Sequence, residues 1–146
     1  MNLSHRISAI SESMTLAISS KAKAMQAQGI DVIDFGVGEP DFDTPQHIKQ
    51  AAIDAINSGY TKYTPAQGSL ELRQAVAEKL KRDNGLEYPP TQILLSCGAK
   101  HSLYNIIVAM CQEGDEVLIP SPYWLSYPEM VKAAGAASVF LPTDET

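Results

Sequence analysis

Ile93-Leu94-Leu95-Ser96-Cys97-Gly98-Ala99-Lys100-His101-Ser102-Leu103-Tyr104 is the stretch around which the rest of the chain is organised. An apolar run of strand length, Ile93 to Cys97, meets Gly98 and Ala99 and becomes a helical pattern with Leu103, Ile106, Ile107 and Met110 on one face. The order predicts a strand feeding a helix through a turn of small residues. The first turn of such a helix has N–H groups ahead of the intrahelical ladder and the positive end of the dipole, and no bulky side chain at Gly98 or Ala99 keeps an anion from the backbone. Lys100 adds a cation beside it. These residues suit a phosphate cup. They also suit an ordinary turn kept small for close packing, and the residues alone do not choose between the two.

Downstream of this stretch, Glu116 to Pro120 reads as a second buried strand, Tyr123 to Ala134 as a helix, and Ala137 to Leu141 as a third strand. Strands alternating with helices predict βαβ units and a parallel sheet, so the chain is α/β. Upstream, Pro89-Pro90 punctuates the approach to Ile93. Ser69 to Asn84 is an amphipathic helix with Leu72, Val76 and Leu80 in register, closed by Gly85, and Tyr60 to Gly68 is a loop. Thr44 and Pro45 read as N-cap and first residue of a helix striped by Ile48, Ala51, Ala52, Ala55 and Ile56. Gly36 to Pro45 breaks regular structure, Asp31 to Phe35 is a short strand candidate, and a polar arm from Ser4 becomes helical near Thr15 and ends at Gly29. Three or so strands make a short sheet for this architecture, which usually has more strands and helices on both faces; the sequence therefore reads as the opening part of something larger.

The bulk numbers exclude several classes. With 146 residues, a formal net charge of -6 and no clustered Lys/Arg, the chain is not built to neutralise nucleic-acid phosphates. No apolar run approaches the roughly 18 residues of a membrane span, and Met1 to Ile7 contains no signal-peptide core, so a cytoplasmic location is expected. Cys97 and Cys111 stand at opposite ends of the predicted helix, roughly 20 Å apart at about 1.5 Å of rise per residue. They cannot bridge each other and are expected to be buried thiols. His5, His47 and His101 are scattered, support no metal site, and suit surface or helix-end roles.

In open α/β sheets ligands sit at the carboxyl ends of strands. Two loops leave such ends here, one carrying Gly98, Ala99 and Lys100 and the other reading Pro120-Ser-Pro-Tyr-Trp124. Trp124, the single tryptophan, can stack on a flat ring whose phosphate rests on a helix N-terminus, although the residue taken on its own favours a helix-start residue packed on the core.

Five spaced motifs run in order: Gly38-Glu-Pro-Asp-Phe-Asp-Thr-Pro45, Lys62-Tyr-Thr-Pro-Ala-Gln-Gly68 with Glu71-Leu-Arg73, Ser96-Cys-Gly-Ala-Lys100, Gly114-Asp-Glu-Val117 and Ser121-Pro-Tyr-Trp-Leu-Ser-Tyr-Pro128. In this set the chain resembles fold-type I pyridoxal phosphate enzymes, specifically class I/II aminotransferases and most closely the bacterial-type aspartate aminotransferases, from about residue 4 to residue 146. The resemblance implies an N-terminal arm and helix over about 1–30, then the first part of the large-domain sheet that binds pyridoxal 5'-phosphate over about 31–146. It assigns Gly98, Ala99 and Lys100 to the cofactor phosphate, Trp124 to the cofactor ring and substrate edge, and Gly38 to the substrate carboxylate. Tyr63 matches a tyrosine that reaches the neighbouring subunit's cofactor phosphate, which implies a homodimer of the full-length protein; the plainer alternative is a tyrosine packed in its loop. In the aspartate-type branch the Lys100 side chain and the Thr15 region are implied in recognising an acidic substrate.

Amino-group exchange between an amino acid and a 2-oxo acid also needs a lysine joined covalently to the cofactor, a carboxylate for the ring nitrogen and an arginine for the substrate α-carboxylate. In the family these lie downstream of the matched region, as does an asparagine beside the ring. No catalytic residue is therefore assigned here, and the chain by itself is expected to be inactive. Ser19-Ser-Lys-Ala-Lys23 superficially resembles the family's lysine motif but lacks the following Gly and Arg and suits a solvated helix face, while Lys100 stands at the wrong end of the cofactor. The alternative is a non-catalytic truncated or split-subunit protein that acts by associating with a partner chain, to which an unfinished sheet would lend itself. A generic nucleotide binder is disfavoured, because neither Gly-x-Gly-x-x-Gly opening a helix nor a Walker motif is present.

Overall fold

The computed structural model describes residues 3–144. They form two compact units, one made of the chain up to Glu39 and again from Leu103 on, the other of Pro40–Ser102. The division falls inside the helix Ala99–Met110.

The first unit contains helices α1 (His5–Ser8) and α2 (Met14–Ala27), and then, after Leu103, strand β1 (Glu116–Ser121), helix α6 (Ser126–Ala134) and strand β2 (Ala137–Pro142). β1 and β2 pair in parallel from Glu116↔Ala137 to Ser121↔Pro142, so α6 is the crossover of a single βαβ unit. Just ahead of the ladder the Asp115 carbonyl accepts from the Ala137 amide at 2.9 Å. α6 stops at Gly135, φ +84, where the Gly135 and Ala136 amides return to Lys132 and Val131 carbonyls. Ile119 from β1 and Met130, Val131 and Ala134 from α6 are buried, with Val131 completely sealed. Leu118, on the other face of β1, is 62% exposed, so only one face of this sheet is covered.

The second unit contains α3 (Gln46–Asn57), α4 (Leu70–Asn84), a 3₁₀ turn at Pro90–Gln92 and the start of α5 (Ala99–Met110). α4 follows from its caps: the Ser69 hydroxyl accepts from the Leu72 amide at 3.3 Å, and Gly85 closes the helix at φ +66. α3 starts one residue later than the sequence predicts, with Pro45 rather than Thr44 in the cap position and no side-chain cap bond. Ahead of the helix, Asp43 accepts from the Thr44 amide and pairs with Lys49 of α3.

Two predicted strands are not formed. Ile93 to Cys97 and Asp31 to Phe35 run without regular structure, since a strand exists only through a ladder partner and the described residues pair β1 with β2 alone. The two thiols are not buried as expected either: Cys97 is exposed in its turn and Cys111 is half-buried.

Candidate functional site

At the end of Ile93 to Cys97 the backbone turns through Gly98, φ +83, into α5. Glycine is needed there for that angle and not for space, because a Cβ placed on Gly98 meets nothing within 4 Å. The His101 and Ser102 amides both return to the Gly98 carbonyl, at 3.2 and 3.4 Å. The ladder of α5 thus begins at His101, and the Ala99 and Lys100 amides lead the helix at the positive end of its dipole. Just behind them the Gly98 amide donates to the Ser96 carbonyl at 2.8 Å and the Cys97 amide to His101 Nδ1 at 3.2 Å. The Ser96 hydroxyl oxygen, two residues from Gly98, is buried without a hydrogen-bond partner among the described residues. Leading amides, open space before a glycine and an adjacent cation form a donor set that fits a phosphate dianion.

This turn is tied to the rest of the second unit by a junction that periodicity did not reveal. The Leu95 amide donates to the Gln67 carbonyl at 3.1 Å, and Leu95 lies so close to Gly68, φ +96, that a Cβ there would stand 2.4 Å from Leu95 Cδ1. Arg73, on α4, is 8% exposed. Its guanidinium donates to the Gly68 carbonyl at 3.2 Å, the Gln67 side-chain oxygen at 3.2 Å and the Pro90 carbonyl at 2.8 Å. One side chain therefore joins the loop before α4, α4 itself and the turn that precedes Ile93. The sequence signal was present in Glu71-Leu-Arg73, but charge alone places an arginine on a helix surface. His101, by contrast, takes the helix-end role expected of it.

Of the other residues singled out in the sequence, Tyr63 belongs to the second unit and Thr15, Gly38 and Trp124 to the first. Tyr63 is fully exposed, which removes the reading of a ring packed in its own loop. Thr15 lies in the first turn of α2, and Gly38 lies in the irregular segment after it. Trp124 follows β1 by way of a cis Ser121–Pro122 peptide, meets Tyr127 edge to face at 5.5 Å, and accepts from the Tyr127 amide through its carbonyl at 3.0 Å. It is 40% exposed rather than packed into the core, and with Ile119, Pro122, Tyr123 and Tyr127 it lines an apolar cleft of about 400 Å³. Neither Thr15 nor Gly38 lines that cleft.

In the same unit the Glu129 carboxylate accepts from the Ser11 amide at 2.9 Å and pairs with Lys132 at 2.8 Å. Burial alone would raise its pKa, but the Lys132 and Ser11 hydrogen bonds outweigh it and hold the carboxyl below its ordinary value. The described residues contain no cluster of three or more metal-ligating side chains and no helix long and apolar enough to cross a membrane.

Residues 30–146 match the family model for aminotransferases of classes I and II. The chain belongs to that family. Aspartate aminotransferase of Bacillus sp. (strain YM-2) is 57% identical over 139 residues, which is 95% of this chain and 36% of that protein. A bifunctional aspartate aminotransferase and glutamate/aspartate-prephenate aminotransferase of Petunia hybrida is 52% identical over 98% of this chain and 30% of its own length. The structure of Thermus thermophilus aspartate aminotransferase with maleate superposes with a TM-score of 0.94 at 46% identity, covering 98% of this chain and 37% of that one. The fold is thus the fold-type I α/β arrangement of these aminotransferases, and the chain spans about a third of the length of the relatives it matches.

Proposed function

We propose that this chain is the N-terminal part of a pyridoxal 5'-phosphate-dependent aminotransferase of aspartate type, which transfers an amino group between an amino acid, aspartate foremost, and a 2-oxo acid. The observation that carries the reading is the turn at Gly98, whose leading amides and open glycine face suit a phosphate monoester, in a chain of this family. In this reading Gly98, Ala99 and Lys100 hold the cofactor phosphate, and Trp124 covers the flat face of the ring. Gly38 lies against the substrate carboxylate, and Thr15 and the Lys100 ammonium favour a substrate with a second carboxylate. Full exposure of Tyr63 supports its reaching a neighbouring subunit, hence a homodimer of the full-length protein in the cytoplasm. When bound, the cofactor supplies the electron sink that such chemistry requires. This chain's residues bind and orient; the lysine that moves the proton, the ring-nitrogen carboxylate and the arginine clamp are not among them. The chain alone is therefore inactive.

Trp124, as the single tryptophan, provides the test. Pyridoxal 5'-phosphate is expected to quench its fluorescence at concentrations where unphosphorylated pyridoxal does not, with no amino-group transfer from aspartate to 2-oxoglutarate. Equal quenching by both ligands, or turnover by a rigorously purified chain, would contradict the proposal. The split-subunit reading is favoured by one observation, the open face of β1 at Leu118, and co-purification with a chain supplying the missing lysine would select it.

A further inference from the structure

A side chain from inside α5 holds the chain just ahead of the helix. Gly98, immediately before α5, has no side chain with which to accept from the helix's first amides, unlike Ser13 and Ser69, whose hydroxyls cap α2 and α4. His101 reaches backward instead. Its ring Nδ1 accepts from the Cys97 amide at 3.2 Å while its own amide donates to the Gly98 carbonyl at 3.2 Å, so one residue grips the chain on both sides of Gly98. The geometry resembles a capping box, in which a side chain in the third helical position returns to the backbone at the helix start, but here the acceptor is an imidazole and the amide is one residue further back. The consequence is a division of labour among four successive amides. Cys97 and Gly98 donate within the turn, to His101 and Ser96, and Ala99 and Lys100 lead the helix. An outer cap such as serine would instead place its hydroxyl oxygen before the first helical amides, where an anion would have to displace it.

We propose that His101 is a positioning residue for the phosphate-holding turn: by accepting the Cys97 amide it fixes Gly98 in its positive-φ conformation and presents the Ala99 and Lys100 amides to a phosphate monoester. This rests on the cofactor reading above. In this role Nδ1 accepts through its lone pair, which assigns the ring proton to Nε2. His101 touches neither substrate nor cofactor; it acts through the backbone.

Equilibrium dialysis of the 146-residue chain against pyridoxal 5'-phosphate and against pyridoxal tests the proposal, with circular dichroism to establish that each variant is folded. His101→Ala is expected to weaken binding of the phosphorylated ligand about 3- to 10-fold, the scale of one lost hydrogen bond, and to leave pyridoxal binding unchanged. His101→Gln, which offers an amide oxygen from the same helical position, is expected to restore most of the difference. Equal losses for both ligands, no loss in His101→Ala, or no rescue by His101→Gln would overturn the positioning role while leaving the cofactor reading intact. If the unsubstituted chain does not prefer the phosphorylated ligand, the cofactor reading itself fails and this inference fails with it. Nitrogen NMR of the unsubstituted chain gives a result that no folding defect can obscure: an Nε2–H ring is expected at His101, and an Nδ1–H ring would refute the proposal.

Discussion

Val131 in α6 is sealed from solvent and Ile119, Met130 and Ala134 of the same unit are buried with it, whereas the most buried polar side chain of the second unit, Arg73, is fastened to two backbone carbonyls and a glutamine oxygen. The βαβ crossover of the first unit is held by apolar area removed from water, a force without direction that tolerates small shifts in position. The junction of Gln67, Gly68, Arg73, Pro90 and Leu95 is held by directional bonds and one close glycine contact, which set position more sharply. A scaffold strand needs only to be covered. A turn that presents backbone amides to an anion must be placed, and the polar junction lies immediately upstream of the turn that carries Gly98.

The comparison breaks most decisively at Ile119. Ile119→Ala removes a 4%-exposed side chain from the β1–α6 contact and is expected to cost about 2–5 kcal/mol in urea unfolding, with the largest loss of amide protection along the β1–β2 ladder. A cost under about 1 kcal/mol would mean that burial does not hold this unit, since surface-like changes stay in that range.

A smaller effect is expected at Arg73, where Arg73→Ala leaves the Gly68 and Pro90 carbonyls without their donor at a cost of about 1–3 kcal/mol. Arg73→Lys should recover only part of it, because an ammonium lacks the planar fork that reaches several acceptors at once. The distinguishing measurement is exchange of the Leu95 amide, which is bonded to Gln67: faster exchange in Arg73→Ala at unchanged β1–β2 protection sharpens the contrast, and uniform loss everywhere would erase it.

The smallest effect is electrostatic. Glu129 is held below its ordinary value of 4.5, so its contribution is fully present above that value and is lost as the pH falls through the lower folded value. Acidification below 4.5 is therefore expected to loosen the Ser11 contact to α6, seen as faster exchange of the Ser11 amide, and Glu129→Gln should weaken the same contact at neutral pH by removing the Lys132 pairing. A Ser11 amide indifferent to both changes would show that the carboxylate does not hold the segment after α1.

Much of this was legible in the residues themselves. The Ser69 and Gly85 caps of α4, the end of α2 before Gly29, the β1–α6–β2 alternation and the turn at Gly98 are local: a hydroxyl, a missing Cβ or a run of apolar residues acts on its immediate neighbours, so its effect can be read in place. The five motifs that mark the aminotransferase family are legible for the same reason. What only the tertiary structure decided concerns partners distant in sequence. Ile93 to Cys97 has the composition of a strand and is not one, because a strand is defined by the ladder it joins. Arg73 is buried although a helix-surface charge is ordinarily solvated, because the carbonyls of Gly68 and Pro90 converge on it. Local chemistry determines which conformations each segment prefers, whereas pairing and burial depend on which groups the fold brings within about 3 Å of one another, the range over which a hydrogen bond acts.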